Sequence, residues 1–113
     1  MGEPSAADLF ATLWDTLADM LGTGATAVLL RRAVRQAVDE DPSLKDLVIR
    51  REGLEYNFSV PASWRNGRED GLLGLRRVVR ALRPILTELT GRVVLRRLEH
   101  LELLRRYGLI EED

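Results

Sequence analysis

Residues Gly71 to Leu89 read GLLGLRRVVRALRPILTEL, and this segment carries the strongest hydrophobic pattern in the chain. Aliphatic residues recur in it at alternating spacings of three and four, which places them along one side of an α-helix. The six residues of this leucine stripe are Leu72, Leu75, Val79, Leu82, Leu86 and Leu89, and Val78 and Ile85 widen it. Burying each such side chain is worth roughly 1.5–3 kcal/mol, so we expect the other elements to pack around this helix. Pro84 lies inside the pattern and predicts a kink there, because it removes a backbone amide.

Two helices are predicted ahead of this segment. Ser5 and Asp8 have the spacing of a capping box, so the first helix should begin just after Ser5 and end at Gly22. The second helix is predicted from about Ala25 to Val38. It is rich in alanine, and such small side chains let another helix approach closely.

Between these helices and the leucine stripe the apolar residues follow a period of two, which is typical of a half-buried strand. A hairpin is predicted with strands at about 47–51 and 54–60 and with a turn at Glu52-Gly53. The register that follows pairs Arg51 with Leu54, Ile49 with Tyr56, and Leu47 with Phe58. Beyond the hairpin, Trp64 is expected at the edge of the core.

A lone two-stranded hairpin is marginal in water and leaves both of its edges open. Pairing with a second copy of the chain would cover an edge, so we expect a homodimer in which either the hairpins form a four-stranded sheet or the leucine stripes pack together. The residues expected at this dimer interface are Ile49, Tyr56, Phe58, Leu75, Val79, Leu82 and Leu86.

After Leu89 a break at Thr90-Gly91 is expected, followed by one last helix from about Arg92 to Tyr107. Gly108 should close that helix, with Leu109 folded back on it. The predicted fold class is therefore α+β and mostly helical: two N-terminal helices, a central antiparallel hairpin, a long kinked helix and a C-terminal helix. At 113 residues the chain suits a single domain, and residues 1–5 and 111–113 are expected to fray.

The composition argues against most kinds of catalytic, metal and cofactor site. The chain contains no cysteine, which excludes a disulfide scaffold, a thiolate metal site and a cysteine nucleophile. His100 is the single histidine and is expected to be an ordinary surface residue, so neither a histidine pair for a metal nor a choice of general base is present. We expect no catalytic, metal or cofactor site. The chain has neither an export signal pattern nor an apolar run of about 18 residues, which favours a cytoplasmic protein with no membrane contact.

The charges are distributed unevenly around a net charge of −1. Residues 1–46 carry four basic and eight acidic groups, whereas residues 71–110 carry nine arginines and three glutamates. The two halves are expected to pack together, within one chain or across a dimer, or the basic half is expected to present a face to an acidic partner. The arginines proposed to bind a partner are Arg76, Arg77, Arg80, Arg83, Arg96 and Arg97. Charged residues usually fill the outer face of a long amphipathic helix, so this strip is expected to be either a solvated or intra-dimer face or a binding face. Arginine forms paired hydrogen bonds with carboxylates and phosphates, so a binding face there suits an acidic protein surface or, less well, nucleic acid.

Two hypotheses of function follow. In the first, the protein is a non-catalytic regulatory or scaffolding protein that homodimerises and binds another protein through helical and hairpin surfaces. In the second, the order of elements resembles that of a winged-helix DNA-binding regulator, which implies a recognition helix lined by Arg31, Arg32 and Arg35 and a wing carrying Arg50 and Arg51. The acidic first half of the chain favours the first hypothesis, because DNA-binding domains usually carry a positive excess.

Overall fold

The structure is a computed structural model that describes residues 4–66 and 69–110. The helices in these ranges are α1 (Ala6–Leu21), α2 (Thr23–Ala37), α3 (Glu69–Thr90), α4 (Val93–Glu99) and α5 (Glu102–Arg106), and the strands are β1 (Val48–Glu52) and β2 (Glu55–Ser59). Single 3₁₀ turns at Pro42–Asp46 and Ala62–Asn66 flank the hairpin. The predicted fold class, α+β and mostly helical, is confirmed. No helix in the described ranges is both long enough and apolar enough to cross a membrane.

The predicted start of α1 is confirmed. The Ser5 hydroxyl accepts a hydrogen bond from the amide of Asp8, while the amide of Ser5 donates to the Asp8 carboxylate at 3.0 Å. These two bonds satisfy backbone donors that a helix start otherwise leaves unpaired. Ser5, which was expected to fray, is therefore held in place, and the fraying predicted for residues 1–3 and 111–113 lies outside the described residues. Gly22 ends the helix with a φ of 86°, and α2 begins at the next residue.

The centre of the leucine stripe forms the middle of the core. The fully or almost fully buried residues of α3 are Leu75, Val78, Val79, Leu82, Ile85 and Leu86. This helix packs chiefly against α2, in which the small residues Ala27, Ala33 and Ala37 are buried. The ends of the stripe differ from the centre, because Leu72 is half-buried and Leu89 is 61% exposed. The helix runs without interruption through Pro84, and the predicted kink remains a prediction.

The predicted hairpin is present, but its predicted register is wrong. The observed pairs are Ile49 with Phe58, Arg51 with Tyr56 and Glu52 with Glu55, so the two turn residues are Gly53 and Leu54. Gly53 has a φ of 61° and Leu54 has no positive φ, as in a turn that needs a left-handed residue only at its first central position. A turn at Glu52-Gly53 would place glutamate in that strained position. The predicted and observed registers differ by two residues, so both place the same side chains on the same face of the hairpin.

An aromatic cluster holds the hairpin against α1. The rings of Phe10 and Phe58 meet edge to face with centroids 4.8 Å apart, and Trp14 lies 5.3 Å from Phe58. Trp64 lies 5.9 Å from Phe10 and is 1% exposed. The expectation that Trp64 sits at the edge of the core is therefore wrong, because the 3₁₀ turn at Ala62–Asn66 directs its ring inward.

The prediction of a single C-terminal helix from Arg92 to Tyr107 is also wrong, because the first helix of this region ends at Glu99. Leu101 is extended, with a ψ of 105°, and α5 begins after it. The predicted closure is confirmed: Gly108 has a φ of 69°, and the amide of Leu109 donates to the Leu104 carbonyl at 3.0 Å. This bond and the one from Gly108 to Arg105 form a Schellman motif, which returns Leu109 and the following residue to the core.

Candidate functional site

The predicted arginine strip is divided by the fold into groups with different surroundings. Arg76, Arg80 and Arg83 recur at spacings of four and three on α3 and line one cavity of about 250 Å³, which Gly108 and Leu109 close on the other side. Arg96 and Arg97 are exposed on α4 and do not line this cavity. We call the first group, with Gly108 and Leu109, the arginine cavity.

Arg77 does not line the arginine cavity, and it forms an ion pair within the fold. Its guanidinium lies 3.2 Å from a carboxylate oxygen of Asp41, just ahead of the first 3₁₀ turn. Asp41 also accepts hydrogen bonds from the amide and hydroxyl of Ser43. This ion pair joins the acidic first half of the chain to the basic second half, in line with the expectation that the two halves pack together.

The arginines within the cavity are held to different degrees. Arg76 donates a hydrogen bond to the Tyr107 carbonyl at 3.0 Å. Arg83 lies 3.9 Å from the carboxylate of Glu99, which is buried, and the Oε2 atom of Glu99 has no hydrogen bond among the described residues. Arg80 is exposed and forms neither a hydrogen bond nor an ion pair within residues 4–66 and 69–110.

Two of the five arginines that the winged-helix resemblance assigns to DNA are bound within the fold. Arg31 donates from both Nε and Nη2 to the carbonyl of Ile49, at 3.1 and 2.9 Å. Arg51 donates to the Gly53 carbonyl at 3.0 Å, and its guanidinium lies 5.9 Å from the centre of the Tyr56 ring. These contacts orient Arg31 along the hairpin edge, so they do not favour a helix prepared for the major groove.

The residues predicted for a dimer interface are mostly inside the chain. Leu75, Val79, Leu82 and Leu86 on α3 and Ile49 on β1 are buried by the protein's own elements, while Tyr56 and Phe58 are half-buried. A contact between copies through the leucine stripe would require the core to open. The homodimer remains a prediction, and the hairpin edge is the part of the expected interface that still faces outward.

An apolar groove lies where the α1–α2 turn, the hairpin and the end of α3 meet. Its volume is about 460 Å³, and its lining comprises Leu21, Gly24, Ala25, Val28, Leu29, Tyr56, Leu89 and Thr90. Val28 and Leu89 are each 61% exposed on its walls. Sequence reasoning missed this groove because both residues fit the apolar faces of their helices, where burial is the ordinary expectation.

The two edges of the hairpin differ. The Ile49 carbonyl bonds to Arg31 and therefore points away from β2. Since hydrogen-bonded and non-hydrogen-bonded pairs alternate along an antiparallel ladder, the backbone groups of Tyr56 and Phe58 point away from β1. Neither residue has a backbone partner at that outer edge in the part of the chain that the structure describes. The β1 edge is thus partly satisfied by a side chain, whereas the β2 edge is open.

No cluster of three metal-binding side chains occurs within the described residues. His100 is exposed, as expected, at the end of α4. Comparisons of the chain with family models, with curated proteins and with solved structures give no match. The surface features of the described residues that bear on function are the groove, the open strand edge and the arginine cavity.

Proposed function

We propose that the protein is a non-catalytic cytoplasmic module of a scaffolding or regulatory kind, which acts by binding protein and first of all a second copy of itself. The observation that carries this proposal is the apolar groove beside the open β2 edge. Exposed aliphatic side chains gathered at one concave surface typically mark a protein contact, whereas scattered ones do not. Val28 and Leu89, each 61% exposed, both line such a surface.

The second copy is the occupant that the hairpin favours. A two-stranded sheet gains stability when a third strand joins it, and an open edge offers unpaired donors and acceptors to an identical edge. Pairing of β2 with β2 of another copy produces a four-stranded sheet by a two-fold operation, which is the commonest symmetry of homo-oligomers. Tyr56 belongs both to the β2 edge and to the wall of the groove, so a copy paired there also covers the groove.

The other surface of such a dimer is available to a different protein. Arg80, Arg96 and Arg97 are exposed in the single chain, and none of them lines the groove. An acidic protein surface would find charge-assisted partners there. In this proposal the groove and β2 hold the copies together, and the arginines face the partner.

Sedimentation velocity and light scattering over a range of micromolar concentrations test the dimer. Asn57 is exposed on β2 and lies opposite Arg50 within the hairpin. Asn57→Glu can therefore pair with Arg50 in the single chain while it brings like charges close together across a β2–β2 contact, so this variant should be monomeric. Asn57→Thr at the same position adds no charge and should dimerise as the unmodified chain does.

The groove is tested with one substitution at two places on α3. Leu89→Gln replaces an apolar side chain on the groove wall and should weaken self-association, whereas Leu73→Gln, at a residue 44% exposed outside the groove, should not. Circular dichroism establishes that each variant is folded. A monomer at every concentration, or a dimer that tolerates both Asn57→Glu and Leu89→Gln, would refute the proposal.

A further inference from the structure

We propose that the outer edge of β1 is a binding site for an acidic peptide segment, which joins the hairpin as a third strand. This edge lies on the other side of the hairpin from β2, so the inference does not depend on the self-association proposed above. Ile49 and Arg51 belong to the pairs of the ladder that are not hydrogen-bonded, so their backbone groups point away from β2. Such a row of backbone donors and acceptors is what an added strand binds.

The backbone groups at this edge include both donors and acceptors. The Ile49 carbonyl accepts from Arg31, whereas the Ile49 amide and both backbone groups of Arg51 have no partner within the described residues. A peptide strand offers a carbonyl to each amide and an amide to each carbonyl. A nucleic-acid phosphate only accepts, so it would leave the Arg51 carbonyl unpaired. The edge therefore favours a peptide over nucleic acid.

The charges beside the β1 edge favour an acidic peptide. The strand itself carries Arg50 and Arg51 against one acidic residue, Glu52, whereas β2 has no basic residue. From α2, the guanidinium of Arg31 reaches the edge at Ile49, and Arg35 lies one turn further on the same side of that helix. Carboxylates on an added strand would thus find arginines from both bordering elements.

The same charges disfavour a second copy at this edge. Pairing of β1 with β1 would bring Arg50 and Arg51 of two chains together, and like charges on adjacent strands are destabilising. Arg35 and Arg50 are exposed and form neither a hydrogen bond nor an ion pair in the part of the chain that the structure describes. Arg31 uses two of its five donors on the Ile49 carbonyl. Donors for carboxylates are therefore available along the whole edge.

Fluorescence anisotropy with a labelled peptide of alternating glutamate and threonine, about eight residues long, tests the site at constant ionic strength. We expect saturable binding. The same peptide with N-methyl groups on its central amides keeps its charge but cannot form the strand pairing, so it should not bind. A peptide with lysine in place of glutamate should not bind either, because its charges match those of the edge.

Variants of the chain separate the backbone contribution from the charge contribution. Arg51→Pro removes the outward amide but none of the hydrogen bonds between β1 and β2, and it should weaken peptide binding by about tenfold. Arg51→Thr keeps that amide and should weaken binding much less. Arg35→Gln should weaken binding by about twofold to fivefold, as expected for an exposed ion pair. Arg32→Gln is its matched control, because Arg32 is exposed on α2 but lies about 100° around the helix from Arg31.

Circular dichroism establishes that each variant is folded, and the N-methylated peptide tests the strand pairing on the unmodified chain. The inference is overturned if that peptide binds as well as its parent, if Arg32→Gln and Arg35→Gln weaken binding equally, or if duplex DNA binds more tightly than the peptide. Leu89→Gln, which alters the groove, should leave peptide affinity unchanged. A changed affinity would place the peptide at the groove or at β2 and would also overturn the inference, whereas failure of the dimer alone leaves it standing.

Discussion

Replacement of Leu82 by alanine tests whether the leucine stripe is buried within one chain or at an interface between two copies. Leu82 is 0% exposed at the centre of α3, so Leu82→Ala removes three buried carbons and leaves a cavity. Replacing a buried leucine by alanine lowers the free energy of unfolding by about 2–5 kcal/mol. With an unfolding entropy of roughly 2.1 cal/mol/K per residue, each kcal/mol lowers the melting temperature of a chain of this length by about 4 °C, which gives a decrease of about 8–20 °C. Leu73→Ala on the same helix, at a side chain 44% exposed, should cost only about 1 kcal/mol.

The assay is urea unfolding, followed by circular dichroism and by the fluorescence of Trp14 and Trp64, with sedimentation velocity on the same samples. Because Leu82 is covered by its own chain, Leu82→Ala should lower the free energy of unfolding by the same amount at protein concentrations about tenfold apart, and it should leave the self-association constant unchanged. The reasoning fails if Leu82→Ala costs less than about 1 kcal/mol, or if it dissociates a dimer while the monomer keeps its stability.

Two further predictions concern the hairpin. Arg31→Met keeps the alkyl chain but removes both hydrogen bonds to the Ile49 carbonyl, so urea unfolding should show a loss of about 1–2 kcal/mol. Arg35→Met, at an exposed residue of the same helix, should change stability by less than about 0.5 kcal/mol, and equal effects of the two substitutions would contradict the role given to Arg31. Gly53→Ala should cost about 1 kcal/mol, because the φ of 61° is unfavourable for a residue with a Cβ atom. Leu54→Asn, at a turn residue 91% exposed, should be close to neutral in thermal unfolding, and a large loss there would argue for a different turn.

The errors made from sequence have a common origin in the short range of the patterns used. The alternation of apolar residues locates the two strands and their faces, but a register differing by two residues preserves that alternation, so the choice falls to the turn. Gly53 can occupy either central position of a two-residue turn, and only the observed φ angles show that it takes the first. The break at Leu101 could not be predicted for the same reason, since the spacing of Leu98, Leu101 and Leu104 also fits one continuous helix.

The candidate sites could also be predicted only in part, because sequence patterns extend over a few neighbouring positions. The spacing of Arg76, Arg80 and Arg83 on one helix face is readable from sequence, and the fold does bring these three arginines to one cavity. The opposite wall comes from Gly108 and Leu109, whose position depends on the chain turning back after α5. Arg77 has the same residue type and nearly the same position in sequence, yet it is taken up by Asp41. Its role depends on a residue 36 positions away in the chain.

Local chemistry by itself determined where α1, α2, α3 and the two strands lie, because hydrophobic period, capping residues and glycine act over a few neighbouring positions. It also determined which face of each element is apolar. Tertiary packing decided which apolar side chains are hidden: Leu86 is buried, whereas Leu89, one turn later on the same stripe, is 61% exposed. The physical reason is that burial depends on whether another element covers a position, and for the end of α3 the chain supplies no such cover within the described residues.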